Sequence, residues 1–345
     1  MKPIDLRSDT VTQPTAAMRA AMAQAEVGDD VLNEDPTVHR LQNSAARKTG
    51  KEDALFVASG TMGNLVSVLT HCGRGDEIIL GDRSHIFLNE VGGIAALGGV
   101  HPRTVANRPD GTLAADALEN AVRRNDIHYP PTRLLCLENT HNFCSGAALT
   151  PQYMQEVARF AKHHCLKIHL DGARIFNAAA ALAVDAAELA RHADSIMFCL
   201  SKGLSAPVGS LVCGSREFIA RARKIRKMVG GGMRQAGHLA AAGIVALEQI
   251  IGRLKQDHEH AKQLAHGLAA TAGIHLEPER VQTNIVFFSL THPSVTPETF
   301  LRELAARRIK LFMTGPAVFR AVLHREISAE QVGRVLEAVD AILNP

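Results

Sequence analysis

Along the chain, short apolar runs, often β-branched, recur between polar turns and longer helix-like stretches. The runs are Ala54–Val57, Glu77–Leu80, Leu134–Leu137, Lys167–Leu170, Ile196–Leu200 and Ser210–Cys213. Most are separated by enough residues for a crossover helix, which predicts an α/β fold with a mostly parallel sheet sandwiched by helices. Thr150-Pro151 and Thr296-Pro297 each read as an N-cap followed by proline at the first helical position. Ser328-Ala-Glu-Gln331 fits a capping box that opens the last helix. Residues 236–272 are nearly all helix-forming and carry the chain into a smaller C-terminal α/β unit, where Asn284–Leu290 is predicted as a strand. The organisation expected is an N-terminal segment at 1–25, a large domain at 26–250 and a small domain at 251–345. There is no internal repeat, low-complexity segment or Gly/Ser linker.

Composition narrows the function classes. The 345 residues suffice for about two domains. Apolar residues make up 46% and charged residues 21%, the balance of a soluble protein with a large core. The net charge of +3 advertises neither nucleic acid nor an acidic membrane surface. No apolar run reaches the roughly 18 residues of a membrane span. The opening MKPIDLRSDT carries Asp5, Arg7 and Asp9 where a signal peptide needs apolar residues, so the expected location is the cytoplasm. Six cysteines without a CxxC pair, three of them inside apolar runs, read as reduced, buried thiols rather than a disulfide framework. The His163, His164, Cys165 and His169 group matches no zinc spacing, and adjacent helical histidines point in different directions, so no metal site is predicted.

In open parallel sheets, ligands bind beyond the carboxyl ends of the strands. After the first run come Ser59, Gly60 and Thr61, and after the second Asp82 and His85. Glu138, Asn139 and His141 follow the third, Asp171 and Arg174 the fourth, and Ser201 and Lys202 the fifth. Any one of these has a bland reading: Ser59-Gly60-Thr61 as a capped turn, Asp171 as a turn cap. Together they suggest one shared site. A helix N-terminus offers free N–H groups to a phosphate. A carboxylate at a strand end can hold a ring-nitrogen proton, and a partly desolvated lysine is a competent amine nucleophile. Those are the parts that a pyridoxal phosphate site requires.

The sequence resembles the low-specificity threonine aldolases nearly end to end. The resemblance rests on DLRSDTVTQPT (5–15), GDD and EDPTV (28–38), SGTMGN (59–64), HIFLNE (85–90), LENTHN (137–142), HLDGARIFNA (169–178), LSKGLSAPVGS (200–210) and KMVGGGMRQAG (227–237). It implies the pyridoxal phosphate-dependent transferase fold of type I, with that cofactor in the large domain. It implies Lys202 as the Schiff-base lysine, Asp171 as partner of the ring nitrogen and His85 against the ring. Ser59, Gly60 and Thr61 would hold the phosphate. Ser8, Arg174 and Arg320 would bind the substrate's α-carboxylate, Arg174 also lying at the cofactor. Arg234 would reach a neighbouring subunit's phosphate, making a homotetramer built from dimers the expected assembly. The implied reaction is retro-aldol cleavage of threonine or allo-threonine to glycine and an aldehyde, with His85 or His141 as base. The chain departs from the family's GDDVYGEDPT at Leu32 and Asn33, and from a common aromatic at Asn89.

Two rival functions differ in class. A β-eliminating lyase or an amino-acid racemase would share Lys202, Asp171 and the phosphate cradle. A nucleic-acid-binding protein would use the basic run Arg221, Arg223, Lys224, Arg226 and Lys227. That run lacks interleaved aromatics or a nucleic-acid motif, and a solvated helix face or a subunit contact explains it better. A dinucleotide dehydrogenase fails for want of GxGxxG after a strand.

Overall fold

The structure is a computed structural model and describes residues 2–344. Its larger sheet comprises β1 (Asp53–Val57), β2 (Glu77–Gly81), β3 (His101–Val105), β4 (Thr132–Glu138), β5 (Lys167–Asp171), β6 (Ser195–Cys199) and β7 (Ser210–Gly214). They lie in the order β1-β7-β6-β5-β4-β2-β3. Strands β2 to β6 pair in parallel, whereas β7 runs antiparallel to both β6 and β1. Two reversals restore direction, so β1 points the same way as β6.

Each central strand divides its side chains between two buried layers. Leu135, Leu137, Ile168, Leu170, Ile196 and Phe198 pack into one core, while Leu134, Cys136, Met197 and Cys199 pack into cores on the other face. With both faces covered, a strand reads as a continuous apolar run. Strand β3 escaped the sequence reading for the opposite reason. It is the edge strand, and of its residues His101 to Val105 only Val105 is buried.

Thr150, Thr296 and Ser328 cap their helices as expected, accepting from the backbone N–H of Tyr153, Thr299 and Gln331. Residues 237–269 wind continuously but unevenly. An α-helix over Gly237–Val245 widens to a π turn at Ala246–Ile250, tightens to 3₁₀ at Ile251–Arg253 and resumes over Leu254–Ala269.

A second core forms around β8 (Ile274–His275), β9 (Ile285–Leu290), β10 (Phe312–Gly315) and β11 (Val318–Val322), an antiparallel sheet in the order β10-β11-β9-β8. Phe288, Phe300 and Phe319 meet there with ring centroids 5.2–6.4 Å apart. The N-terminal segment joins this unit, since Ile4–Asp5 pairs in parallel with Ile309–Lys310 and Ile4 and Leu6 enter its core. Among the described residues, no helix is long and apolar enough to cross a membrane.

Helix α1 (Gly60–His71) follows β1 and lies over β6 and β7. Gly63 sets the approach: a Cβ there would sit 2.5 Å from Met197 Cγ. Gly63→Ala should therefore destabilise the fold by about 2 kcal/mol, the usual cost of overpacking a filled core. A thermal melt should show a midpoint lowered by a few degrees.

Candidate functional site

Because β1, β2, β4, β5 and β6 share a direction, their carboxyl ends open on one edge of the sheet. Asp171 is the last residue of β5 and is buried. Its Oδ2 accepts from Asn64 Nδ2 at 2.8 Å and its Oδ1 from the Ala173 N–H at 3.0 Å. Asn64 is a fully buried polar residue of α1, and its amide also donates to Glu90 Oε1 at 2.8 Å.

Glu90 in turn meets His85 Nδ1 at 2.8 Å. Burial opposes a charge on the His85 ring, but the Glu90 hydrogen bond and the Asp171 charge outweigh it and raise its pKa above 6.5. Burial raises Glu90 as well, and Asp171 adds to the effect. The His85, Glu90 and Asp171 ligand atoms lie within 4.8 Å of one another, and all three are engaged with one another or with Asn64. The His85 N–H donates to Glu138 Oε2 at 2.7 Å, and Glu138 Oε1 accepts from the Asn142 N–H at 2.8 Å. One buried carboxylate at the end of β4 thus braces the loops that carry His85 and His141.

His141 is buried, and neither ring nitrogen has a hydrogen-bond partner. Gly111, at φ +82°, packs so closely that a Cβ would lie 2.9 Å from His141 Cβ. A buried imidazole with both nitrogens unpaired is costly.

Lys202 follows β6 and is half-buried; its carbonyl accepts from Thr12 Oγ1 at 3.0 Å. Its charge bears on both Asp9 and His85. Asp9 is wholly buried and binds Arg174 in a fork, Oδ2 to Nε and Oδ1 to Nη2, each at 2.7 Å. Burial opposes ionisation of Asp9, yet Arg174, Lys202 and Asn284 hold its carboxyl far below the usual range.

Arg320 donates to Asn142 Oδ1 and to the Arg7 carbonyl, both at 3.1 Å, while its buried Nε has no partner. Burial, together with the Arg174 charge, lowers its pKa. The charges of Arg174 and Asp9 both act on Arg320, and Asp9 pairs directly with Arg174 alone. Ser8, beside Asp9, caps a 3₁₀ turn by accepting from the Thr10 N–H.

Ser59 and Thr61 are exposed at the start of α1, and Ser59 Oγ accepts from the Met62 N–H. Gly60 is constrained by packing, since a Cβ would lie 2.8 Å from Cys199 Sγ. The structure does not gather every predicted residue. Arg234 is exposed and pairs with Asp29 Oδ2 at 2.8 Å, away from the cluster's hydrogen bonds. Arg174 has much of its fork committed to Asp9 rather than free for a ligand. Asn33 sits at φ +63°, the left-handed conformation that suits a glycine and that asparagine tolerates. Leu32 and Asn89 are exposed.

Sequence reading assigned no role to Asp9, Asn64 or Glu90. The available signal was a polar residue inside an otherwise apolar helix, Asn64 in MGNLVSVL, and carboxylates within the RSDT and HIFLNE strings. An amine, a buried carboxylate and a free helix N-terminus on one edge fit the three polar ends of pyridoxal phosphate.

The chain matches the beta-eliminating lyase family over residues 5–291. It is 49% identical over 336 residues to low-specificity L-threonine aldolase 1 of Arabidopsis thaliana, covering 96% of this chain and 94% of that protein. It is 45% identical over 332 residues to the low specificity L-threonine aldolase of Escherichia coli K12, covering 96% and 97%. The solved threonine aldolase of Leishmania major shares its fold with a TM-score of 0.84 at 20% identity, covering 99% of this chain and all of that one.

Burial lowers His169 from 6.5 to about 4, and burial together with the His169 charge lowers His71 to about 3. As pH falls below 6.5 the unfolded chain binds these protons and the folded protein does not. Stability should thus be full above pH 6.5 and fall progressively towards pH 4. Urea midpoints at pH 7 and pH 5 check this, the lower value being expected at pH 5.

Proposed function

The chain belongs to the low-specificity threonine aldolases within the beta-eliminating lyase family, and we propose that its site at the sheet's carboxyl edge binds pyridoxal phosphate and a β-hydroxy-α-amino acid. The activity is that of a lyase cleaving threonine to glycine and an aldehyde. Threonine and allo-threonine are the two substrates in view, with acetaldehyde the product of either.

The observation that carries the substrate reading is the guanidinium excess around Asp9. Arg174 is neutralised by a forked ion pair, whereas Arg320 has a buried, unpartnered Nε and a lowered pKa. A further carboxylate would relieve both, and an amino acid brings one. Arg320, with Ser8 and the remaining edge of Arg174, would bind it and fix the orientation of the Cα substituents. Lys202 would hold the cofactor's carbonyl carbon, Asp171 its ring nitrogen, His85 its ring, and residues 59–61 its phosphate. Bound there, the cofactor supplies an electron sink for the pair left on Cα when the Cα–Cβ bond breaks.

His141 is our candidate for the group that takes the hydroxyl proton, because both of its ring nitrogens lack a partner. His85 has Nδ1 committed to Glu90, which leaves it Nε2. An elimination or racemisation reading would use the same lysine and aspartate but removes the Cα proton in place of the hydroxyl proton.

The same reading extends to assembly and location. Phe87, Leu88 and Val91, just past His85, are exposed, Val91 at 96%. Apolar side chains grouped at a site's rim suit an interface between subunits, and Arg234, exposed and paired with Asp29, would exchange that partner for a neighbouring subunit's phosphate in a homotetramer. Six free cysteines suit the reducing cytoplasm. We keep the division at residues 25 and 250, supported by the uneven winding at Ala246–Arg253.

Protein supplied with pyridoxal phosphate should show a visible band that Lys202→Ala abolishes, and should release glycine and acetaldehyde from threonine. A band accompanied by ammonia and a keto acid would move the reading to elimination. His141→Asn should lower kcat by about 10²–10⁴-fold, the usual worth of a general base, while leaving the band in place.

A further inference from the structure

Beneath the site runs a chain of buried polar groups that the cleavage reaction does not use. His71 Nε2 lies 2.8 Å from Ser195 Oγ, which lies 2.9 Å from His169 Nδ1. His169 Nε2 lies 3.0 Å from Asn64 Oδ1, and Asn64 Nδ2 contacts Asp171 Oδ2 and Glu90 Oε1, each at 2.8 Å. Ser195, His169 and Asn64 are all fully buried.

Donor and acceptor roles in this chain are forced. An Asn64 nitrogen facing two carboxylates must donate to both, so its oxygen is the end that meets His169. That oxygen only accepts, so His169 carries its proton on Nε2. His169 is held neutral by burial, with a pKa of about 4, so its Nδ1 has no proton and accepts from the Ser195 hydroxyl. Ser195 Oγ is then left to accept from His71 Nε2–H. Every donor from His71 inwards points towards Asp171 and Glu90.

We propose that Asn64 and His169 are positioning residues for Asp171, forming a one-way relay of hydrogen bonds that fixes the direction of its carboxylate beside a second buried carboxylate, Glu90. Two carboxylates sharing one site ordinarily cannot both stay ionised. The two Asn64 N–H groups are the shared counterweight, and His169 orients them. Without that donor pair, the Asp171 carboxylate loses its fixed direction and becomes a poorer partner for a protonated ring nitrogen.

The inference rests on the cofactor reading above, and one experiment separates the two. The dissociation constant of pyridoxal phosphate and the position of the visible band are measured for wild type, His169→Leu and His169→Gln. Leucine fills much of the ring's space but cannot donate, whereas glutamine places an N–H near the Nε2 position. His169→Leu should weaken binding about tenfold, the upper end of the worth of one neutral hydrogen bond, and shift the band, while His169→Gln recovers to within about threefold of wild type. A mere packing role predicts the reverse order, and equal binding by all three proteins would overturn the relay while leaving the cofactor reading intact. If wild type itself takes up no pyridoxal phosphate, the cofactor reading fails and the relay loses its purpose. Should His169→Leu not fold, Asn64→Ser tests the next link, with unchanged affinity and band as the result that sinks the proposal.

Discussion

The forked ion pair between Asp9 and Arg174 joins three separate parts of the chain. Asp9 comes from the N-terminal segment, Arg174 follows β5 of the larger sheet, and Asn284, which donates to Asp9 Oδ2 at 3.3 Å, precedes β9 of the smaller one. All three side chains are buried. Removing one partner of such a pair leaves an uncompensated charge and typically costs 3–5 kcal/mol, whereas the intact pair offsets its own desolvation. The two cores are thus tied at the place where the lysine, the second arginine and the N-terminal segment meet.

Around that tie the site divides its charges by function. On one side, Arg174 and Arg320 exceed the carboxylate available to them and await an anion. On the other, Asp171 and Glu90 exceed the cations near them and are steadied by Asn64 and the His85 ring. A substrate carrying a carboxylate and a cofactor carrying a protonatable ring nitrogen would complete one imbalance each. Lys202 bears on both sides, its charge felt by Asp9 and by His85. Catalytic sites commonly hold such opposed electrostatic demands, which burial sharpens by reducing solvent screening.

Steric constraint fixes the same region. Gly60 and Gly63 let α1 settle onto Cys199 and Met197 of β6, which brings Asn64 within reach of Asp171. Gly111 leaves room for His141. The Gly60 position thus answers to packing within the chain as well as to any phosphate that approaches the helix terminus. Asn33 shows the complementary case, a left-handed position held by a residue type that tolerates that backbone.

Much of the fold was legible in the sequence because it depends on local chemistry. Apolar runs buried on both faces announced six of the seven strands of the larger sheet, and Thr150, Thr296 and Ser328 announced their helices through their own side chains. The polar edge strand His101–Val105 was silent, since an edge strand needs no apolar pattern. The sequence also determined which residues stand at the strand ends, because a lysine or aspartate directly after an apolar run can lie nowhere else. Only the tertiary structure decided what those residues meet. It gave Arg174 to Asp9 across 165 positions, set Asn64 against two carboxylates, left His141 without a partner and carried Arg234 to the surface. Those outcomes follow from strand order and helix approach, which are long-range properties that no single stretch of sequence contains.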